Sequence, residues 1–79
     1  MSHVPHELPE EFPEYIEKMH TLKMEDRHFS RLAEEYHRVN REVHRMETRV
    51  EPVSDQVEEE ARAKRMRLKD EIAQYLASR

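Results

Sequence analysis

The sequence predicts an all-α protein, an antiparallel two-helix coiled-coil hairpin with a short N-terminal helix. Three observations carry that prediction. Apolar residues recur at alternating steps of three and four from Phe29 to Val50, the spacing of a heptad seam. A second, thinner apolar series follows Pro52, a residue that stops a helix by removing a donor and clashing with the preceding turn. Of the 79 residues 41% are charged and 35% apolar, with no glycine and no cysteine, which suits solvated helices around one modest core. A core of that size excludes multidomain enzymes, barrels and doubly wound sheets. The missing glycine and cysteine exclude glycine-rich phosphate loops, disulfide frameworks, thiolate zinc sites and cysteine nucleophiles.

The elements follow in order. Pro5, Pro9 and Pro13 each restrict the preceding residue and deny the backbone a donor, so residues 1–11 are expected to form an extended tail. Proline is tolerated in a first helical turn, and Glu10, Glu11, Glu14 and Glu17 suit the positive end of a helix dipole. A first helix is therefore placed over about 12–25, with Phe12, Tyr15, Ile16, Met19 and Leu22 as its stripe. Asp26 is the expected N-cap of a second helix over 26–50, its carboxylate accepting from a backbone N–H near Phe29. No proline or glycine between 14 and 51 enforces that break, and one continuous helix is the alternative.

Within the second helix Phe29, Leu32, Tyr36, Val39, Val43, Met46 and Val50 take every a and d position. The segment Thr48–Ser54 is short enough to turn the chain back. Asp55 and Glu58 match a capping box opening a third helix over 55–77, whose seam of Val57, Ala61, Leu68, Ile72, Tyr75 and Leu76 is interrupted by Lys64 and Arg65. Residues 12–79 thus form a single helical-hairpin domain. Folding about the turn pairs positions whose numbers sum to about 104, as in Phe29 with Tyr75, Tyr36 with Leu68 and Met46 with Val57, so both ends should be apolar. The middle sets Val39 and Asn40 against Lys64 and Arg65, whose heads can reach Glu35 or Glu42 while their stems cover apolar surface. Such a polar layer fixes register at some expense of stability, so replacing Arg65 with Leu is expected to raise thermal stability.

Certain residues carry a family resemblance: Phe12-Pro13-Glu14-Tyr15, Asp26-Arg27-His28-Phe29, and the closing Arg67-Leu68-Lys69-Asp70-Glu71-Ile72. Together, over about residues 12–77, they resemble the YdcH-like family, a domain-of-unknown-function group of short, mostly bacterial proteins. The resemblance implies an antiparallel helical hairpin with a short leading helix, a cytoplasmic location, and no assigned catalytic or binding residues. This chain departs from the family where Asp26-Arg27 stands in place of the Asn-Pro that often precedes the His-Phe pair.

The chemistry-bearing residues point away from catalysis. His37 and His44 lie two turns apart on one face, about 10.5 Å along the axis, too far to share an ion. His3 and His6 can capture only adventitious metal, so no metal and no cofactor is expected. Glu10 with Glu11, and Glu58 to Glu60, are read as solvated cap residues, since acid–base work needs a cleft that desolvates them. Ser30, Ser54 and Ser78 have no organised base.

The basic run Arg62, Lys64, Arg65, Arg67 and Lys69 is the candidate partner site. It winds around its helix among acids within i,i+4 reach, so internal pairing is the first expectation. Met24, Met66, Ile16 and Leu76 lie off the main seam and point to self-association. The leading reading is a noncatalytic, cytoplasmic interaction or oligomerisation module that self-associates and meets an unidentified protein partner. A small nucleic-acid-associated regulator using the last helix is the runner-up, although the net charge of -4 disfavours nonspecific attraction to nucleic acid. No apolar run is long enough to cross a bilayer, and Met1-Ser2-His3-Val4-Pro5 does not resemble a signal peptide.

Overall fold

The computed structural model describes residues 4–48 and 53–79. Four α-helices follow in order, α1 (Leu8–Glu11), α2 (Ile16–Glu25), α3 (Arg27–Glu47) and α4 (Asp55–Ser78), with a 3-10 turn at Pro13–Tyr15 between the first two. No strand occurs among the described residues. The long helices α3 and α4 pack along one another as the heptad pattern predicts, and α2 packs on α3. Val50 and the bend at Pro52 lie outside the described residues. α3 itself ends at Glu47, where the Thr48 N–H and hydroxyl both donate to the His44 carbonyl at 2.9 Å.

The helices end where their side chains can satisfy orphan backbone groups. Asp26 adopts an extended conformation, and its Oδ1 accepts from the Phe29 N–H at 3.2 Å. The expected break is therefore present, held by a cap rather than by a helix breaker. At α4 the cap is Ser54, not Asp55: the Ser54 hydroxyl accepts from the Val57 N–H at 3.2 Å. This one-residue shift leaves Asp55 and Glu58 in the first turn, where their charge suits the dipole.

One face of α3 is buried along its length through Phe29, Leu32, Ala33, Tyr36, Val39, Asn40 and Val43, whereas α4 buries only Ile72 and Leu76 fully. The anticipated register appears directly, with the Phe29 and Tyr75 ring centroids 5.6 Å apart. The hairpin is well closed at that end and looser near the bend, where Val57 stays 42% exposed. The second apolar end is thus only partly closed, with Val43 fully buried and Val57 not.

The open side of the α3–α4 pair is covered by the N-terminal quarter of the chain. Leu8, Phe12 and Met19 are buried in one cluster with Phe29, Leu32, Tyr36, Ile72 and Leu76. Leu76, a member of the α4 seam placed off the main seam of α3, is fully buried in the same cluster as Met19 of α2. Lys18 fastens α2 to α4 by donating from Nζ to the Leu76 and Arg79 carbonyls at 2.8 and 2.5 Å, a cation at the negative end of a helix. The N-terminal segment also differs from an extended tail over 1–11. Its residues Leu8–Glu11 form a helical turn that buries Leu8, since a four-residue spacing lets Leu8 and Phe12 reach the core together.

The polar layer takes a form that sequence pairing does not show. Asn40 is wholly buried; its Oδ1 accepts from Arg65 at 3.0 Å while its Nδ2 donates to the Pro5 carbonyl at 2.9 Å. Lys64 reaches Glu35 at 3.4 Å as expected. Arg65→Leu alone would strip the buried Asn40 oxygen of its donor, and that reverses its expected effect on stability.

Candidate functional site

The structure divides the basic run of α4. Arg62, Arg65 and Lys69, spaced three and four apart, share one helix face, and with His6, Glu11, Tyr36 and Met66 they line a cleft of about 290 Å³. Lys64 sits on the opposite flank against Glu35, and Arg67 is exposed. The five residues therefore form no single stripe, and the face the structure does assemble contains three of them.

Each cation in the cleft has an anionic or polar companion. Arg62 Nε donates to Glu47 at 3.0 Å and its second nitrogen to Glu58. Arg65 is held by Asn40, and Lys69 Nζ meets Glu11 Oε1 at 2.5 Å. The Lys69 hydrogen bond draws the Glu11 pKa below the ordinary carboxylate value, against the opposing effect of burial. On the far flank the Arg38 hydrogen bond, with Lys64 behind it, does the same for Glu35. Tyr36, beneath the N-terminal segment, has its phenol pushed up to about 12 by burial and by the charge of Glu11.

Two readings of single residues change here. Glu11 is not a solvated cap residue, because it bridges α1 to α4 and also faces His6 Nδ1 at 3.5 Å. His37 is not simply solvated either; its Nδ1 lies 2.9 Å from Glu7 Oε2. Among the described residues no three His, Asp or Glu side chains gather into a group that could hold a metal ion. Sequence reasoning missed Glu7, Tyr36 and His37 as polar contacts, and the signal that could have found them is the repeat of acid then apolar at Glu7-Leu8 and Glu11-Phe12.

A second polar knot closes the far end. Asp26 accepts from the Tyr75 hydroxyl as well as from the Phe29 N–H, Arg79 lies 4.0 Å away, and the Arg79 guanidinium sits over the Tyr75 ring at 4.7 Å. The Tyr75 hydrogen bond and then the Phe29 N–H lower the Asp26 pKa, and the same hydrogen bond raises that of Tyr75. These shifts set a pH dependence. Carboxylates whose folded pKa is lowered contribute stability above their unfolded value, and it is lost as pH falls through the folded one. Thermal stability should therefore decline below about pH 4 as Asp26, Glu11 and Glu35 protonate. Tyr36 and Tyr75, with raised pKa, contribute fully below the unfolded value of 10 and lose that contribution as pH climbs through the folded value, which for Tyr36 is about 12. Asp26→Ala should lower the melting temperature and flatten the acid limb of a melting-temperature profile followed by circular dichroism, whereas an unchanged acid limb would exclude the role given to this carboxylate.

The family profile described as Protein of unknown function (DUF465) matches residues 29–76, which takes in α3 from Phe29 onward and α4 as far as Leu76, including the Leu68–Ile72 stretch. The Phe12–Tyr15 motif and the whole N-terminal segment fall outside the matched span. No curated protein and no solved structure matches the chain. With well over half of its length matched, the chain belongs to this family of unknown function, the YdcH-like family whose motifs it carries.

Proposed function

We propose that the protein is a noncatalytic helical interaction module that associates first with copies of itself and works in the cytoplasm. The observation that carries this reading is the set of large apolar side chains left in water on a chain with so small a core: Met24 at 75%, Met66 at 65% and Ile16 at 49% exposure. Single exposed apolar residues are ordinary, but methionines on a helix face are adaptable contact residues. Met66 also has a fitting neighbourhood on α4. Arg62 stands one turn before it and Asp70 one turn after it, so two antiparallel copies of α4 crossing at Met66 set each Arg62, with the Glu47 and Glu58 that hold it, opposite the Asp70 of the other copy. No helix among the described residues is long and apolar enough to cross a membrane, and the cysteine-free sequence suits a reducing compartment.

The nucleic-acid reading finds less support, because Arg62, Lys64, Arg65 and Lys69 are each engaged within the chain and would have to exchange those partners for phosphate. Sedimentation equilibrium tests the proposal. The expected result is a mass above 9.7 kDa that rises with concentration, restored to the monomer by Met66→Glu with unchanged helicity. A monomer at every concentration of the unaltered chain would reject self-association.

A further inference from the structure

Residues 4–12 lie on the hairpin as a ligand lies on a receptor. Their main chain is gripped by side chains of α3: Asn40 Nδ2 donates to the Pro5 carbonyl at 2.9 Å and the Tyr36 hydroxyl to the His6 carbonyl at 2.7 Å. Their carboxylates are taken by bases on two different helices, Glu7 by His37 at 2.9 Å and Glu11 by Lys69 at 2.5 Å. Leu8 and Phe12 enter the core as apolar anchors one turn apart. Side-chain donors reading main-chain carbonyls, with pockets for alternate anchors, constitute a peptide-recognition mode.

Three observations indicate that this segment is not the only occupant the face can take. The cleft is more basic than the segment neutralises: Lys69 meets Glu11 and Arg62 meets Glu47 and Glu58, whereas Arg65 is held by the neutral Asn40 amide and by no acid of the segment. The segment docks with strain: His6 sits at φ 65, a left-handed conformation that costs a residue bearing a Cβ and that glycine adopts freely. The family match over residues 29–76 contains the hairpin residues that grip the segment, Tyr36, His37, Asn40 and Lys69, and none of the segment itself.

We propose that this face of the hairpin is a docking groove for a short acidic peptide of a partner protein, and that residues 4–12 occupy it in cis. The fitting peptide carries an acid followed by an apolar residue, repeated one helical turn later, with glycine just before the first acid. The inference rests on the interaction-module reading and names the chemistry of one partner. The cis segment competes with that partner, so apparent affinity is reduced by the fraction of molecules in which the groove is open. Weakening the grip on Glu7 and Glu11 raises that fraction without altering the groove.

The test uses a fluorescent nine-residue peptide with the sequence of residues 4–12 and His6→Gly, titrated with the full chain and read by fluorescence anisotropy. The double variant Glu7→Gln, Glu11→Gln is expected to bind it about tenfold more tightly than the unaltered chain. Adding Lys69→Ala to the double variant should abolish that gain, as should replacing the peptide's glutamates at positions 7 and 11 with glutamine. Helicity by circular dichroism controls for folding, and if the double variant loses it, Glu11→Gln alone supports the same comparison. Equal affinity for the unaltered and weakened chains, or binding indifferent to the peptide's acids, overturns the proposal. So does a weakened chain that dimerises and is not dissociated by the peptide, which assigns the groove to the segment of a second copy. Failure here with Met66-dependent association intact leaves the module reading standing, and loss of that association with peptide binding intact leaves the groove standing.

Discussion

Phe29→Ala is expected to remove most of the folding stability of this protein. Phe29 is fully buried where α2, α3 and α4 meet, against Tyr75 and within the cluster that includes Leu32, Ile72 and Leu76. Truncating a buried phenylalanine costs about 3–5 kcal/mol, because the lost transfer energy is joined by that of an unfilled cavity. A domain of this length has roughly 4–12 kcal/mol in all, so the variant should lose its cooperative thermal transition or show it near room temperature. Met24→Ala, on the exposed flank of α2, should change stability by no more than about 0.5 kcal/mol. Urea unfolding followed by far-ultraviolet circular dichroism compares the two, and a Phe29→Ala midpoint close to that of Met24→Ala would mean that the three-helix junction is not the core.

The second large effect belongs to a polar residue. Asn40→Ala removes the buried amide that ties the Pro5 carbonyl to Arg65, leaving an acceptor without its donor and a guanidinium without its acceptor. A hydrogen bond to a charged group and the exposure of a partner to an unmet desolvation cost together amount to about 2–4 kcal/mol, or roughly 10–30 °C in melting temperature for a domain of this size. The effect should be non-additive with Arg65→Leu, since each variant orphans the same bond; in a double-mutant cycle the pair should cost less than the sum of the singles. Strict additivity would show that the Asn40–Arg65 contact carries no coupling. The Asn40→Ala chain should also show faster amide exchange in Leu8–Glu11, because the N-terminal segment loses one of its main-chain anchors.

The legible parts of the fold were those with a local physical cause. The heptad spacing of α3 places six apolar side chains, Phe29 to Met46, on one face whatever they pack against, and the Phe29–Tyr75 register follows from counting back from Pro52. The Asp26 cap was legible because an N-cap needs only a short acceptor and an N–H three residues on. The Ser54 cap was misplaced by one residue because Ser54 and Asp55 are both competent acceptors, and only the entry direction of the chain chooses between them. The candidate site was less legible. All five basic residues could be named, but their division into a cleft-lining set and two outliers depends on where the N-terminal segment lies.

That segment marks the boundary between the two levels of information. The sequence by itself determined a helical hairpin and its register, and offered the break at Asp26 beside a continuous helix, since periodicity and capping act over a few residues and are written in their order. Only the tertiary structure decided that residues 4–12 fold back across α3 and α4, that Asn40 joins two distant parts of the chain, and that Glu7 and Glu11 meet His37 and Lys69. Those contacts join residues 25 to 58 positions apart. Their partners are chosen by which surface remains open once the long helices have paired, and no local pattern encodes that surface.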